Sequence, residues 1–365
     1  MWVDGVVFAL VLLCFLEGVA SFARGWLFWT FVTDRLKQPA SPGASRVCVL
    51  MPVRGRDAGL LENLNAWLGQ DYGNYRLIIA SDDYSLRSQL KATAFPPPVS
   101  LHICEAILLP DCSAKISGLL ASLQDLADED EILVFADSDT RPDRHCLSAL
   151  VAALIARPSG VTTGYRWYLP DGWHVPTLLR SIWNAGTLTL LGSNERTNFA
   201  WGGASAIRRR DFETLDIAGR WRRALSDDYV VTAAAQEAGQ GVEFVPQCLV
   251  PSQGRCGWSE LLDWTTRQIQ MTRLYSAPLW RLALVFQTLF VVAFYGGAGH
   301  LLWHGLRNPI LGWTALLLVL AYGLSCAKAE LRRRAVVAMR SDWYTVLRTF
   351  RWPYTLLAPA AGLIS

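Results

Sequence analysis

The chain has 365 residues, of which 52% are hydrophobic and 18% charged, with a formal net charge of +3. That balance is too apolar for a wholly soluble enzyme and too weakly basic to point to nucleic acid. The length allows one domain of about 200 residues together with a membrane part.

Residues 5–32 form an apolar run broken only by Glu17 and Arg24, longer than the ~20 residues that cross a bilayer core as a helix. It has Asp4 where a cleaved signal peptide would carry a basic region, so it reads as a retained anchor. Residues 279–304 and 309–327 are two further spans. The last apolar piece, 352–365, is short and contains Pro353 and Pro359; it reads as re-entrant, interfacial, or a span that ends early. Arg35, Lys37 and Arg46 follow the first run, and Lys328, Arg332, Arg333, Arg334, Arg340, Arg348 and Arg351 follow the third. Between the second and third lies only Arg307. The bias of basic residues places the middle segment and 328–351 in the cytoplasm, and the triplet at 332–334 suits anionic lipid headgroups. None of the eight cysteines falls in a CxxC pair, so reduced thiols are expected and a zinc site is not.

After a linker at 34–45, strands and helices alternate. Strands are expected at 46–53, 75–81, 99–105, 131–139 and 160–167. Helices are expected at 59–70, 85–94, 113–127 and 144–156. This alternation predicts an α/β fold with a mostly parallel sheet covered on both faces. Ligands of such sheets bind beyond the strand C-termini, and polar residues collect there as "PVRG", "SDD" and "DSD".

Asp137 and Asp139 are two apart on a strand end, so both carboxylates address one side and suit a hard cation such as magnesium or manganese. The plainer reading is a helix cap and turn. Asp82, with Asp83 as its rival, is either a nucleoside contact or a turn residue. The "SDDY" stretch at 226–229 reads first as a helix cap, and Asp228 is also suited to general-base work. Trp201, Gly202 and Gly203 precede a strand-like piece; paired glycines allow close approach to a ligand or make a tight turn. Residues 258–280 form an amphipathic helix of interfacial character, with Gln270 and Arg273 either on a solvated face or turned toward a diphosphate.

Taken in order, "MPVRG", Asp82, "AKISGLL", "DSDTR", "GGASAIRR", "SDDY" and "QMTRL" resemble the GT-A inverting membrane glycosyltransferases of the ceramide glucosyltransferase family, related to family 2 glycosyltransferases. The resemblance runs from about 46 to 275, and the flanking spans match too. It implies a Rossmann-like GT-A cytoplasmic domain at 46–257, an N-terminal transmembrane helix at 1–33, an interfacial helix at 258–278 with a QxxRL motif, and a membrane region at 279–365 with two to three helices. It implies a UDP-sugar donor, a divalent cation (Mg2+ or Mn2+) and a lipid acceptor, ceramide, in a bacterial inner membrane. By the same resemblance Pro52, Arg54, Asp82, Lys115, Asp137, Gln270 and Arg273 would line the donor. Asp139 and Asp137 would hold the metal, with Asp139 the closer ligand, and Asp228 would be the base. Trp201, Gly202, Gly203 and Asp227 would lie on the acceptor side. The sequence departs from the family at Leu274, where the (Q/R)xxRW motif has Trp; Tyr275 or a nearby Trp would have to replace that aromatic plate.

Three alternatives stand beside this reading. The acceptor could be diacylglycerol, a hopanoid or polyprenyl phosphate. A processive polysaccharide synthase would need a channel, for which three or four spans are few. An inactive scaffold would have shed one of the acidic tips, and all are present.

Overall fold

The computed structural model describes residues 1–38, 43–55, 59–93, 95, 99–170, 172–252 and 254–360. Part of the linker (39–42) and the end of the last apolar piece (361–365) lie outside the described residues. In chain order α1 (Trp2–Arg35) is followed by β1 (Val47–Pro52), α2 (Leu60–Leu68), β2 (Tyr75–Ser81), α3 (Tyr84–Ala92), β3 (Ser100–Glu105), α4 (Ala114–Ser122) and β4 (Ile132–Ala136). Then come α5 (Cys146–Ile155), β5 (Val161–Tyr168), α6 (Val175–Leu188), β6 (Ala204–Arg208), α7 (Arg209–Thr214), α8 (Ile217–Trp221), α9 (Asp227–Glu237) and β7 (Val242–Ser252). The rest is helical: α10 (Trp258–Tyr275), α11 (Ala277–Phe290), α12 (Gly297–His304), α13 (Pro309–Met339), α14 (Tyr344–Thr349) and α15 (Arg351–Leu357).

The chain divides into two compact units, one of Asp34–Trp167 and Leu190–Ser252, the other of Met1–Thr33, Tyr168–Thr189 and Gln253–Ser365. The first unit holds the sheet, in the order β3-β2-β1-β4-β6-β5-β7. β1 pairs in parallel with β2 and β4, and β2 with β3. β6 runs antiparallel between β4 and β5. β1 and β4 are almost wholly buried, as expected of parallel strands with helices on both faces. β7, which carries Pro246 and Pro251, lies at an edge, where proline is tolerated in a sheet.

Beneath the strand tips Phe135 of β4 meets the Trp221 ring edge-on at 5.2 Å, and Phe212 meets it at 5.3 Å. Both packings add to simple burial. At the opposite end of the strands Arg76 clamps the buried Asp130, its Nε donating to Oδ1 at 3.1 Å, while Ala127 N–H donates to Oδ2 at 2.8 Å. Burial works against the Asp130 charge, but the Arg76 hydrogen bonds outweigh it and hold its pKa below the ordinary value.

All eight cysteines are free thiols. Cys48, Cys146 and Cys248 are fully buried in the sheet unit. Burial pushes the Cys48 thiol up to about 12 and Cys248 well above its ordinary value.

In the second unit α1, the α11–α12 pair and α13 are long and apolar enough to cross a membrane. The pair is continuous through a π-helical turn at Val291–Gly296. The amphipathic helix expected over 258–280 stops at Tyr275: Pro278 sits in the first turn of α11, and the chain breaks at Ser276. Near the start of α1, Asp4 Oδ1 meets His300 Nε2 at 2.9 Å and Oδ2 accepts from Asn308 Nδ2 at 3.1 Å. Asn308 also caps α13 through Leu311 N–H. α15 is only seven residues long, far short of a span.

Candidate active site

The first site component is a cleft at the tips of β1 and β2. It is lined by Pro52, Val53, Arg54, Asp82, Leu108 and Ala114, with Ala80, Ala106 and Gly118 beneath. Asp82 is exposed and leaves helix capping to its neighbour: Asp83 accepts from Leu86 N–H and caps α3. Arg54 and Asp82 therefore put one cation and one carboxylate over an apolar floor.

Lys115 follows Ala114 in the first turn of α4. Its Nζ meets Asp137 Oδ1 at 2.6 Å and Asp227 Oδ2 at 2.9 Å, and donates to the Gly202 carbonyl at 3.2 Å. One ammonium thus joins the tip of β4, the start of α9 and the loop before β6. Burial opposes the charge on Lys115, but Asp137, Asp227 and Asp228 outweigh it and hold its pKa above the ordinary range. Asp137 is likewise buried against its charge, and Lys115 and Arg166 bring its pKa below the ordinary value. Asp227 goes the other way: burial first, then repulsion from Asp228 and Asp137, raises it to about 6 despite Lys115.

Gly202 and Gly203 are required by space. A Cβ on Gly202 would overlap Asp227 and Lys115, and one on Gly203 would overlap the Trp201 ring. The Gly203 carbonyl accepts from Asp137 N–H at 3.4 Å, and Trp201 N–H donates to Thr163 Oγ1 at 2.8 Å. Trp201 is buried.

Of the cap-and-turn alternative for Asp137 and Asp139 the cap is not formed, because α5 begins at Cys146, seven residues past Asp139, with His145 at its cap position; the turn is formed, closed by Thr140 N–H donating to the Asp137 carbonyl at 3.2 Å. The "SDT" turn is also held by Thr140 Oγ1, which donates to the Asp137 carbonyl at 2.6 Å and accepts from Trp67 Nε1 at 3.1 Å. Asn63 Nδ2 adds a bond to the Ser138 carbonyl at 2.9 Å. A residue that sequence reasoning passed over completes this end. Arg166 of β5 meets Asp137 Oδ2 at 3.1 Å and Asp139 Oδ2 at 3.5 Å, and lies 5.0 Å over the Trp201 ring. Asp139 remains half exposed, at 51% of its side chain.

At α9, Trp221 Nε1 donates to the Asp227 carbonyl at 3.1 Å, so the aromatic cluster below fixes the helix start. Ser226 occupies the cap position without a side-chain cap bond. Its hydroxyl donates to Asp228 Oδ1, which also accepts from Tyr229 N–H at 2.8 Å. Asp228 Oδ2 has no hydrogen-bond partner among the described residues.

Gln270 and Arg273 belong to the other unit, on α10, and both are exposed. Arg273 lies 5.1 Å over the ring of Trp280, while Leu274 is 62% exposed. An aromatic partner for this arginine thus comes from the start of α11 and not from the adjacent position.

Among solved structures, a mannosyltransferase from Pyrobaculum calidifontis in complex with GDP-mannose and Mn2+ aligns over 98% of this chain and 99% of its own. The identity is 17% and the TM-score 0.45. Residues 1–349 of TarS from S. aureus align over 87% of this chain and 90% of that one, with 11% identity and a TM-score of 0.40. No curated protein matches the sequence. The family model for glycosyl transferase family 21 matches residues 7–361. Because that match takes in both the strand-tip carboxylates and the three long apolar helices, the chain belongs to glycosyl transferase family 21 and is a glycosyltransferase.

Proposed function

We propose that the protein transfers a hexose, glucose, from a UDP-sugar to the hydroxyl of a membrane lipid, ceramide, with inversion at the anomeric carbon. The observation that carries this is the Lys115 bridge. It draws Asp137 and Asp227 to one point beside the Asp82–Arg54 cleft, with the open oxygen of Asp228 one residue further along α9.

The cleft suits a uracil: its apolar floor takes the flat face of the ring, and the Asp82 carboxylate accepts from the ring N–H. Arg54 and Lys115 are the cations nearest to where the diphosphate would lie. The residues present also fit a divalent cation. Magnesium and manganese sites of this kind use one or two carboxylates with phosphate oxygens, and Asp139 offers a half-exposed carboxylate whose neighbour Asp137 is already ionised. Bound there, the cation would offset charge on the departing diphosphate. Arg166 positions both carboxylates.

Asp228 is the base. With Oδ1 anchored by Ser226 and Tyr229, Oδ2 takes the proton from the acceptor hydroxyl as its oxygen bonds to the anomeric carbon. The carbon–oxygen bond to UDP breaks in the same displacement, the electron pair leaves with UDP, and the sugar centre inverts. Gln270 and Arg273 are proposed to meet the diphosphate. The apolar helices keep the enzyme where a two-chain acceptor resides, with the sheet unit in the cytoplasm of a bacterial inner membrane.

The test is an assay of membranes containing the full chain with a panel of UDP-hexoses and with ceramide, diacylglycerol, a hopanoid and polyprenyl phosphate, read by lipid mass spectrometry. A β-linked hexosylceramide from an α-linked donor is expected. A product on another lipid alone would move the acceptor, and no glycolipid from any pairing would remove the proposal.

A further inference from the structure

The basic triplet 332–334 does not act as one patch. Arg333 and Arg334 both turn to Glu330, with Arg333 Nη2 at 2.8 Å and Arg334 Nε at 3.1 Å, and Arg351 joins them at 3.2 Å. Three arginines therefore share one carboxylate. Arg332 points elsewhere. Its Nη2 donates to the hydroxyl of Thr189 at 3.1 Å, and its Nε is buried without a hydrogen-bond partner among the described residues. One turn earlier on the same helix, Lys328 Nζ donates to the Ser21 hydroxyl of α1 at 2.7 Å. Among the described residues neither cation has a carboxylate within ion-pair distance.

A partly buried cation with a donor left unpaired is costly unless an anion completes it. The depth of the pair says which anion. The apolar run 309–327 rises about 28 Å as a helix, close to the ~30 Å of a bilayer core. With that run across the core, Lys328, the first residue beyond it, would lie at the level of the headgroup phosphates, and Arg332 one turn further out.

We infer that Lys328 and Arg332, with Ser21, Thr189 and the exposed Arg24, form a binding site for the phosphate of an anionic membrane phospholipid. The Lys328 ammonium and the Ser21 hydroxyl fix the phosphate and the Arg332 guanidinium supplies the remaining donors, while Thr189, whose own O–H goes to the Gly186 carbonyl, steadies Arg332. The site lies within the helical unit and does not depend on which sugar or acceptor the enzyme uses.

The experiment uses the full chain, delipidated in neutral detergent and then offered phosphatidylglycerol, phosphatidylcholine or inorganic phosphate, with bound adducts counted by native mass spectrometry. The expected result is a preference for phosphatidylglycerol over phosphatidylcholine of roughly 10-fold or more. It is lost in the Lys328→Gln/Arg332→Gln variant and kept in Arg333→Gln/Arg334→Gln. Arg332→Lys retains part of the preference, and thermal unfolding in phosphatidylcholine identifies any variant that has failed to fold. Equal retention of both lipids by the wild type overturns the site. Loss in the Arg333/Arg334 variant equal to that in the Lys328/Arg332 variant overturns the assignment to these residues. Inorganic phosphate competing as well as the lipid would make it a free-phosphate site and overturn the lipid.

Discussion

Asp228 separates two jobs that one carboxylate often mixes. Its Oδ1 is committed to Ser226 and the helix start, and Oδ2 is left to the reaction. Asp228→Asn keeps the shape and removes the proton acceptor. Its kcat should fall by about 10²- to 10⁴-fold with little change in the KM for the donor; retention of most turnover would dismiss Asp228 as the base. Asp139→Ala removes the exposed carboxylate of the proposed cation site. Activity should fall, and the metal concentration giving half-maximal rate should rise; unchanged activity with unchanged cation dependence would end that role. Much of this site could be seen in the sequence, because carboxylates directly after apolar runs stand out. Arg166 could not be seen, since an arginine inside a strand reads as an ordinary half-exposed side chain. Only the pairing shows its place: Phe135 lies beside Ser205, and Ser205 beside Thr163, so Asp137 and Arg166 emerge past the same row of the sheet. The bond between Lys115 and Asp227 was hidden for the same reason, being made between residues 112 apart in sequence.

Among the elements, the parallel half of the sheet was legible because each strand is a short β-branched run between amphipathic helices, the pattern a doubly covered sheet needs. The antiparallel insertion of β6 between β4 and β5 was not, because strand direction depends on long-range pairing that periodicity does not encode. Boundaries slipped where local signals compete. The helix expected over 113–127 ends at Ser122 and tightens into a 3-10 turn at Leu123–Asp125. The Arg76–Asp130 clamp gives a prediction at this scale. Asp130 is depressed in the folded state, so its contribution to stability is present above the ordinary carboxylate range and is lost as pH falls through the folded pKa. Asp130→Asn should destabilise the sheet unit at neutral pH by about 3–5 kcal/mol, since it leaves Arg76 without its charge partner. The gap between variant and wild type should close in acid. A denaturant series at several pH values reads this, and a gap that stays constant into acid would refute it.

For the whole molecule, the expectation of three spans, with a fourth left open at 352–365, rested on run length, and among the described residues three helices meet that requirement. Their order and the basic residues that follow the first and third runs predict that the sheet unit faces the cytoplasm. Cysteines introduced at exposed positions of that unit, such as Asp82 or Arg54, should be labelled by a membrane-impermeant maleimide only after the membrane is opened. One introduced at Arg307 should be labelled from outside. The reverse pattern would turn the topology over.

The free cysteines bear on how easily that question is asked. A maleimide reacts with a thiolate that it can reach, and in the sheet unit Cys48 and Cys248 offer neither exposure nor charge. Cys104 is partly exposed, but burial, with Asp125 adding to it, raises its thiol to about 11. Cys112 is the partly exposed thiol that stays beside the cleft wall, 3.4 Å from Ser117 Oγ. Replacing Cys112 with serine should render the native sheet unit nearly silent to thiol probes, so that reporter positions can be read without stripping the interior of sulfur.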